Sequence, residues 1–237
     1  MKLPQKISPC PVVEAVVEIR FEPCVPGDAV FGLLYTGIRE DFPQSEAHPV
    51  LQIPEMIRDQ DPMLRYTPHY KLLKDNFALQ IGPRVLSIST VSGYPGWNSF
   101  TPMIKLILGK FFAANIAKNI ERVGVRYINL FDLNIFQKMS IDFKSNDVDF
   151  RLNSSTVSST VLNDKTISQL RISNEAKAIV DGKEMSGSII DIDTYVLSPD
   201  YDEKNVFEKI EVCHVDEKNM FFSILLPEFI AEHAPEY

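Results

Sequence analysis

The sequence predicts an α+β protein with a split β-α-β N-terminal half and a smaller β-hairpin-plus-helix half after it. Three observations carry that prediction. Residues 12–21 and 120–133 alternate apolar and charged side chains at the two-residue period of a half-buried strand. Residues 29–42 and 98–112 place apolar side chains at helical spacing instead. Between the two helices lies a run of short strands punctuated by turn residues.

The first strand follows Ser8-Pro9-Cys10-Pro11, where prolines keep the backbone extended. Val13, Ala15, Val17, Ile19 and Phe21 then share one face, and Glu14, Glu18 and Arg20 share the other. Pro23, Pro26 and Gly27 end the strand, Asp28 is placed to cap a helix through Val30, Leu33, Leu34 and Ile38, and Pro43 stops it. Residues 44–68 hold Pro49, Pro54, Pro62 and Pro68 and little periodicity. They read as an irregular excursion with a short strand near 50–53, and an ordered loop of that length is a candidate for contact work. Strands are expected at 64–74, 77–81 and 84–91, joined at Asp75-Asn76 and Gly82-Pro83. Ser92-Gly93-Tyr94-Pro95-Gly96 breaks the meander, and Asn98 or Ser99 opens a long helix with Phe100, Ile104, Ile107, Leu108, Phe111 and Phe112 on its core face.

The closing strand carries Arg122, Gly124 and Arg126 on one face and Val123, Val125 and Tyr127 on the other. The order so far is ferredoxin-like with an extra strand, a topology in which first and last strands lie side by side and antiparallel. Glu14 and Glu18 would then face Arg122 and Arg126 as one ion network. Residues 137–166 read as a polar connector, with a short strand at 155–162. Strands at 167–180 and 186–197, turning at Asp181-Gly182-Lys183-Glu184, lead to a helix from Glu203 through Val206, Ile210 and Cys213 towards Leu225. The domain reading is therefore 1–136, 137–166 and 167–237, and hairpin followed by helix raises a degenerate duplication.

A chain of 237 residues with 45% hydrophobic content can bury a sizeable core. Its net charge of -8 argues against nucleic acid and anionic membrane as partners. Cys10, Cys24 and Cys213 have no metal-ligand spacing and read as reduced thiols of a cytoplasmic protein. No leader and no bilayer-spanning run is expected; the most apolar segment, 104–117, is interrupted by Lys105, Gly109 and Lys110.

Three motifs resemble a sporadically distributed family of uncharacterised prokaryotic proteins. They are Pro11-Val12-Val13-Glu14-Ala15-Val16-Val17-Glu18-Ile19-Arg20-Phe21, Val91-Ser92-Gly93-Tyr94-Pro95-Gly96-Trp97-Asn98-Ser99-Phe100, and Glu121-Arg122-Val123-Gly124-Val125-Arg126-Tyr127-Ile128-Asn129. The resemblance brings no activity with it. Its patchy distribution implies a toxin-antitoxin or defence-associated accessory role rather than housekeeping metabolism.

Arg122 and Arg126 could hold an anionic ligand, or be neutralised by Glu14 and Glu18 and join two strands; the second reading is favoured. Tyr94 and Trp97, at a strand-to-helix junction, could anchor a contact, although covering the helix start is the simpler role. Asp191 and Asp193 share a strand face, but no third acid has the spacing for a metal site, so a solvated face is expected. His48, His69, His214 and His233 are scattered, and Cys213 and His214 diverge by about 100° on their helix. Neither a phosphate-cradling glycine loop nor a serine elbow occurs. No catalytic residue, metal or cofactor is assigned. The expected function is non-enzymatic binding or regulation through a protein partner, with a homodimer as one form. The alternative is an enzyme or sensor that takes a small anion on Arg122 and Arg126.

Overall fold

The computed structural model describes residues 3–141, 144–145, 148–149, 154–180, 183–200 and 202–237. The first strand, β1 (Val12–Pro23), is followed by α1 (Gly27–Ile38), β2 (Gln44–Ala47) and a short α2 (Glu55–Gln60). A meander of β3 (Tyr70–Lys74), β4 (Phe77–Gly82) and β5 (Val85–Thr90) leads into α3 (Trp97–Ala114) and the long β6 (Ala117–Phe131). The two-residue strands β7 (Lys144–Ser145) and β8 (Val148–Asp149) pair with each other. Then come β9 (Thr156–Leu162), β10 (Ile167–Val180), β11 (Lys183–Leu197), α4 (Glu203–Ile224) and α5 (Pro227–Glu232).

Nine strands form one open antiparallel sheet in the order β2-β3-β4-β5-β1-β6-β11-β10-β9. The fold is therefore α+β. The first strand and a mid-chain strand meet at the centre, where β1 pairs with β6 in the register Val17↔Val125, Glu18↔Gly124 and Arg20↔Arg122. Tyr195 lies beside Gly124 on the far side of β6. The alternation in β1 and β6 is what fixes this register, because a slip of one residue would turn Ala15, Val17, Ile19 and Phe21 out of the core.

Helices α1, α3 and α4 cover one face of the sheet. Val30, Leu34 and Ile38 from α1, Phe100, Ile104, Ile107, Leu108 and Phe111 from α3, and Val206, Ile210 and Cys213 from α4 share a core with the inward residues of β1, β4, β5 and β6. A second cluster joins Ile190 and Ile192 of β11, Leu170 and Ile172 of β10, the end of α4 and Phe229 of α5. Among the described residues no helix is long and apolar enough to cross a membrane.

Several expectations change in detail. The excursion is not a strand near 50–53: β2 lies earlier, Pro49–Gln52 is a turn of 3-10 helix, and α2 follows Pro54. Pro49 is the first residue of the 3-10 turn and Pro54 is the N-cap of α2, positions at a helix start where the missing N–H of proline costs nothing. The strand expected from residue 64 begins only at Tyr70, because residues 62–68 turn beneath Pro62 and Pro68. Trp97 is the first residue of α3, and Gly96 before it takes φ +89, a backbone open to glycine at little cost. The turn expected at Asp181-Gly182 lies outside the described residues.

Candidate functional site

The sheet face opposite α1, α3 and α4 carries the ion network. Arg122, whose side chain is only 8% exposed, donates from Nη1 to Glu18 Oε1 at 2.6 Å and from Nη2 to both carboxylate oxygens of Asp193 at 2.6 Å. Glu18 also accepts from Arg20 Nε at 2.7 Å. Arg126 turns to the other neighbouring strand and meets Asp191 through Nε and Nη2, each at 2.7 Å, a two-point fork. Among the described residues Glu14 makes no ion pair within 4.0 Å. Burial raises its carboxyl above the ordinary range against the pull of Arg126.

Arg122 and Arg126 therefore draw on β11 as much as on β1, and Asp191 and Asp193 are not the solvated face that alternation alone suggests. Their side chains are 17% and 26% exposed, and each holds a guanidinium. Gly124 makes room for this: a Cβ there would stand 2.8 Å from Arg122 Nη1. Tyr195 closes the site with its ring 4.2 Å from the Arg122 guanidinium. Both guanidiniums already hold carboxylates.

Tyr94 and Trp97 belong to a different cluster, on the helix side. The Tyr94 and Tyr127 hydroxyls are 3.1 Å apart, and Tyr127 Oη is 3.0 Å from His214 Nδ1. Trp97 stacks on the His214 ring with centroids 3.9 Å apart and planes 8° from parallel, while its Nε1 donates to Glu211. Burial lowers the His214 pKa to about 4, with the charge of Lys218 adding to the effect. A neutral imidazole carries its proton on one nitrogen, so the chain of hydrogen bonds runs from Tyr94 through Tyr127 to Nδ1 in one tautomer and in the reverse direction in the other. Burial pushes the Tyr94 phenol above its ordinary range and Tyr127 well above it.

Glu217 lies on the same helix, 4% exposed and without a hydrogen-bond partner for Oε1. Burial alone drives its pKa well above the ordinary carboxyl value, which favours the protonated, neutral form. In its ionised form Glu217 adds to the rise in pKa of both tyrosines. Sequence reasoning missed Glu217 and left His214 as a scattered histidine. The available signal was the spacing Val206, Ile210, Cys213, Glu217, Phe221, which puts an acid inside the apolar stripe of α4.

A third arrangement surrounds the excursion. Glu121 accepts from Arg84 Nη2 at 2.7 Å, Arg65 Nη2 at 3.3 Å and Tyr66 Oη at 2.8 Å. Burial works to raise the Glu121 carboxyl, but the hydrogen bonds of Tyr66 and Arg84 and the charges of Arg84 and Arg65 outweigh it and hold the pKa below the usual range. Beside these residues lies a cavity of about 420 Å3, lined in part by Arg58, Arg65, Arg84 and His69. On the outside of the excursion Met56, Ile57 and Met63 are 72%, 53% and 85% exposed.

No protein-family model matches the sequence, and no curated protein matches it either. Among the described residues no group of three or more His, Cys, Asp or Glu side chains could hold a metal ion.

Proposed function

We propose that the protein is a non-enzymatic binding protein that acts through contact with another protein, made by the excursion between β2 and β3. The observation that carries this reading is the cluster of Met56, Ile57 and Met63, three large apolar side chains held out to solvent within eight residues of chain. Thioether side chains adapt to a partner's shape, and clustered exposed apolar groups mark contact surfaces. Glu55 precedes the cluster and Asp61 lies within it, in a chain of net charge -8, so the fitting partner pairs an apolar patch with basic residues. A second copy of this acidic chain fits less well. A protein that covers a basic partner suits the toxin-antitoxin or defence setting implied by the motif resemblance.

The rival reading, a small anion held by Arg122 and Arg126, has less support because both guanidiniums are engaged by Glu18, Asp193 and Asp191. The test is calorimetric titration with the purified products of the neighbouring genes. Binding is expected for the native protein and for Val215→Asp, an exposed position on α4, and a loss of at least about tenfold for Met56→Asp combined with Met63→Asp. Equal binding by the double variant, or no binding by any neighbouring product, would refute the proposal.

We also propose that the architecture is a split β-α-β unit, ferredoxin-like with an extra strand, present twice in degenerate form. The support is positional. Read outward from the β1/β6 seam, the order is β1, β5, β4, β3 on one side and β6, β11, β10, β9 on the other. Counted from Trp97 and Glu203, the buried residues Phe100, Ile104, Ile107 and Phe111 of α3 occupy the same places as Val206, Ile210, Cys213 and Glu217 of α4. Glu217 stands where the first unit has a phenylalanine.

A further inference from the structure

We propose that the cavity beneath the excursion binds a small phosphorylated organic molecule. Three guanidiniums reach it from three separate pieces of chain: Arg58 from α2, Arg65 from the turn after it, and Arg84 from the β4–β5 turn. They are not fully spent. Arg84 gives Nη2 to Glu121, yet its Nε is buried with no partner. Arg58 gives Nε to the carbonyl of Ile53 and Nη1 to His69, and no bond from its Nη2 is found among the described residues. A single guanidinium fork satisfies a carboxylate, whereas donors converging from several directions suit the tetrahedral oxygens of a phosphate. Gly27, the first residue of α1, also lines the cavity, and no side chain caps that helix end. The positive end of the helix dipole adds to the field of the guanidiniums.

The space exceeds what a phosphate ion alone needs, and its size falls in the range of small-molecule sites. Phe31 and Tyr70, stacked with ring centroids 3.8 Å apart, form an apolar wall for the organic part. Asp28 and Glu55 also line the cavity, and their carboxylates are suited to accept from hydroxyl or amino groups of that part. This site is separate from the Arg122 and Arg126 network and does not depend on the methionine cluster binding a partner.

The experiment compares inorganic phosphate, AMP and glycerol phosphate with adenosine and glycerol at millimolar concentration, by thermal shift and calorimetry on the full chain. At least one phosphorylated probe should raise the melting temperature and bind, while its unphosphorylated counterpart should not. Arg58→Gln and Arg84→Gln should each weaken that binding by about 10- to 100-fold. Leu51→Trp, which fills the cavity without removing a guanidinium, should weaken it too. Arg58→Lys keeps the charge without the fork and should fall between, which guards against Arg84→Gln simply unfolding. Met56→Asp with Met63→Asp should leave phosphate binding unchanged, so this test and that of the protein contact fail independently. The proposal is overturned if no phosphorylated probe binds better than its counterpart, or if binding survives Arg58→Gln and Leu51→Trp.

Discussion

Replacing Glu217 by leucine should stabilise the protein, by an amount that grows with pH. The native carboxyl is buried, lacks a partner for Oε1 and keeps its proton, whereas the unfolded carboxyl ionises near its ordinary value of 4.5. Between those two values the native state binds one proton more than the unfolded state, so Glu217 lowers stability by about 1.4 kcal/mol per pH unit as pH rises. His214 acts with the opposite sign. Its native pKa of about 4 lies below the unfolded 6.5, so in that interval the unfolded state binds the extra proton and stability rises with pH. From pH 4.5 to 6.5 the two slopes nearly cancel in the native protein, and above 6.5 that of Glu217 stands alone. Glu217→Leu removes it. Urea unfolding of both proteins in half-unit steps of pH, by linear extrapolation, should show the leucine advantage growing with pH by about 1.4 kcal/mol per unit for as long as native Glu217 keeps its proton. Glu217→Gln should lose the same slope. A stability difference that stays constant with pH would refute the neutral acid, because it would leave only a packing effect.

Three further outcomes concern the two faces of the sheet. Arg122→Ala takes the guanidinium from Asp193, leaves Glu18 with Arg20 alone and should cost about 3 kcal/mol by denaturant unfolding. Gly124→Ala should cost about 1–3 kcal/mol in the same assay, since its Cβ would meet the Arg122 guanidinium, which is held by carboxylates and cannot swing aside freely. Trp97→Ala removes the stack on His214 and the bond to Glu211 and should cost about 3–5 kcal/mol, together with a loss of near-ultraviolet signal.

Much of the sheet was legible because parity is a local property. The alternation of Val13 to Phe21 and of Val123 to Tyr127 marks which side of each strand is core, and chain order then suggests that they pair. What could not be read is the identity of each neighbour across the sheet. Strand β6 has a partner on both sides, so Arg122 and Arg126 had a choice between the acids of β1 and those of β11. Register decides it: Arg126 is paired with Asp193 across β11 yet forks diagonally to Asp191, and Arg122 reaches diagonally to Asp193. The excursion was misread for another reason. Residues 50–53 suggest a short strand, but Pro49 and Pro54 stand at the starts of helical turns.

The helix-side cluster was harder to see because it joins residues more than a hundred positions apart, Trp97 with Glu211, and a loop tyrosine with a strand tyrosine and a helix histidine. No spacing rule links them. Yet the sequence does hold one clue with a physical meaning, the acid in the apolar stripe of α4. Either that acid escapes the core or the core holds it neutral, since an unpaired buried carboxylate is far too costly to keep ionised. Helix α4 packs on β6 and β11 through that stripe, so escape would expose Cys213 and Phe221 as well. The protein therefore keeps a protonated acid beside a neutral histidine and two phenols, and substitutions that let water reach Glu217 should unfold this corner of the sheet first.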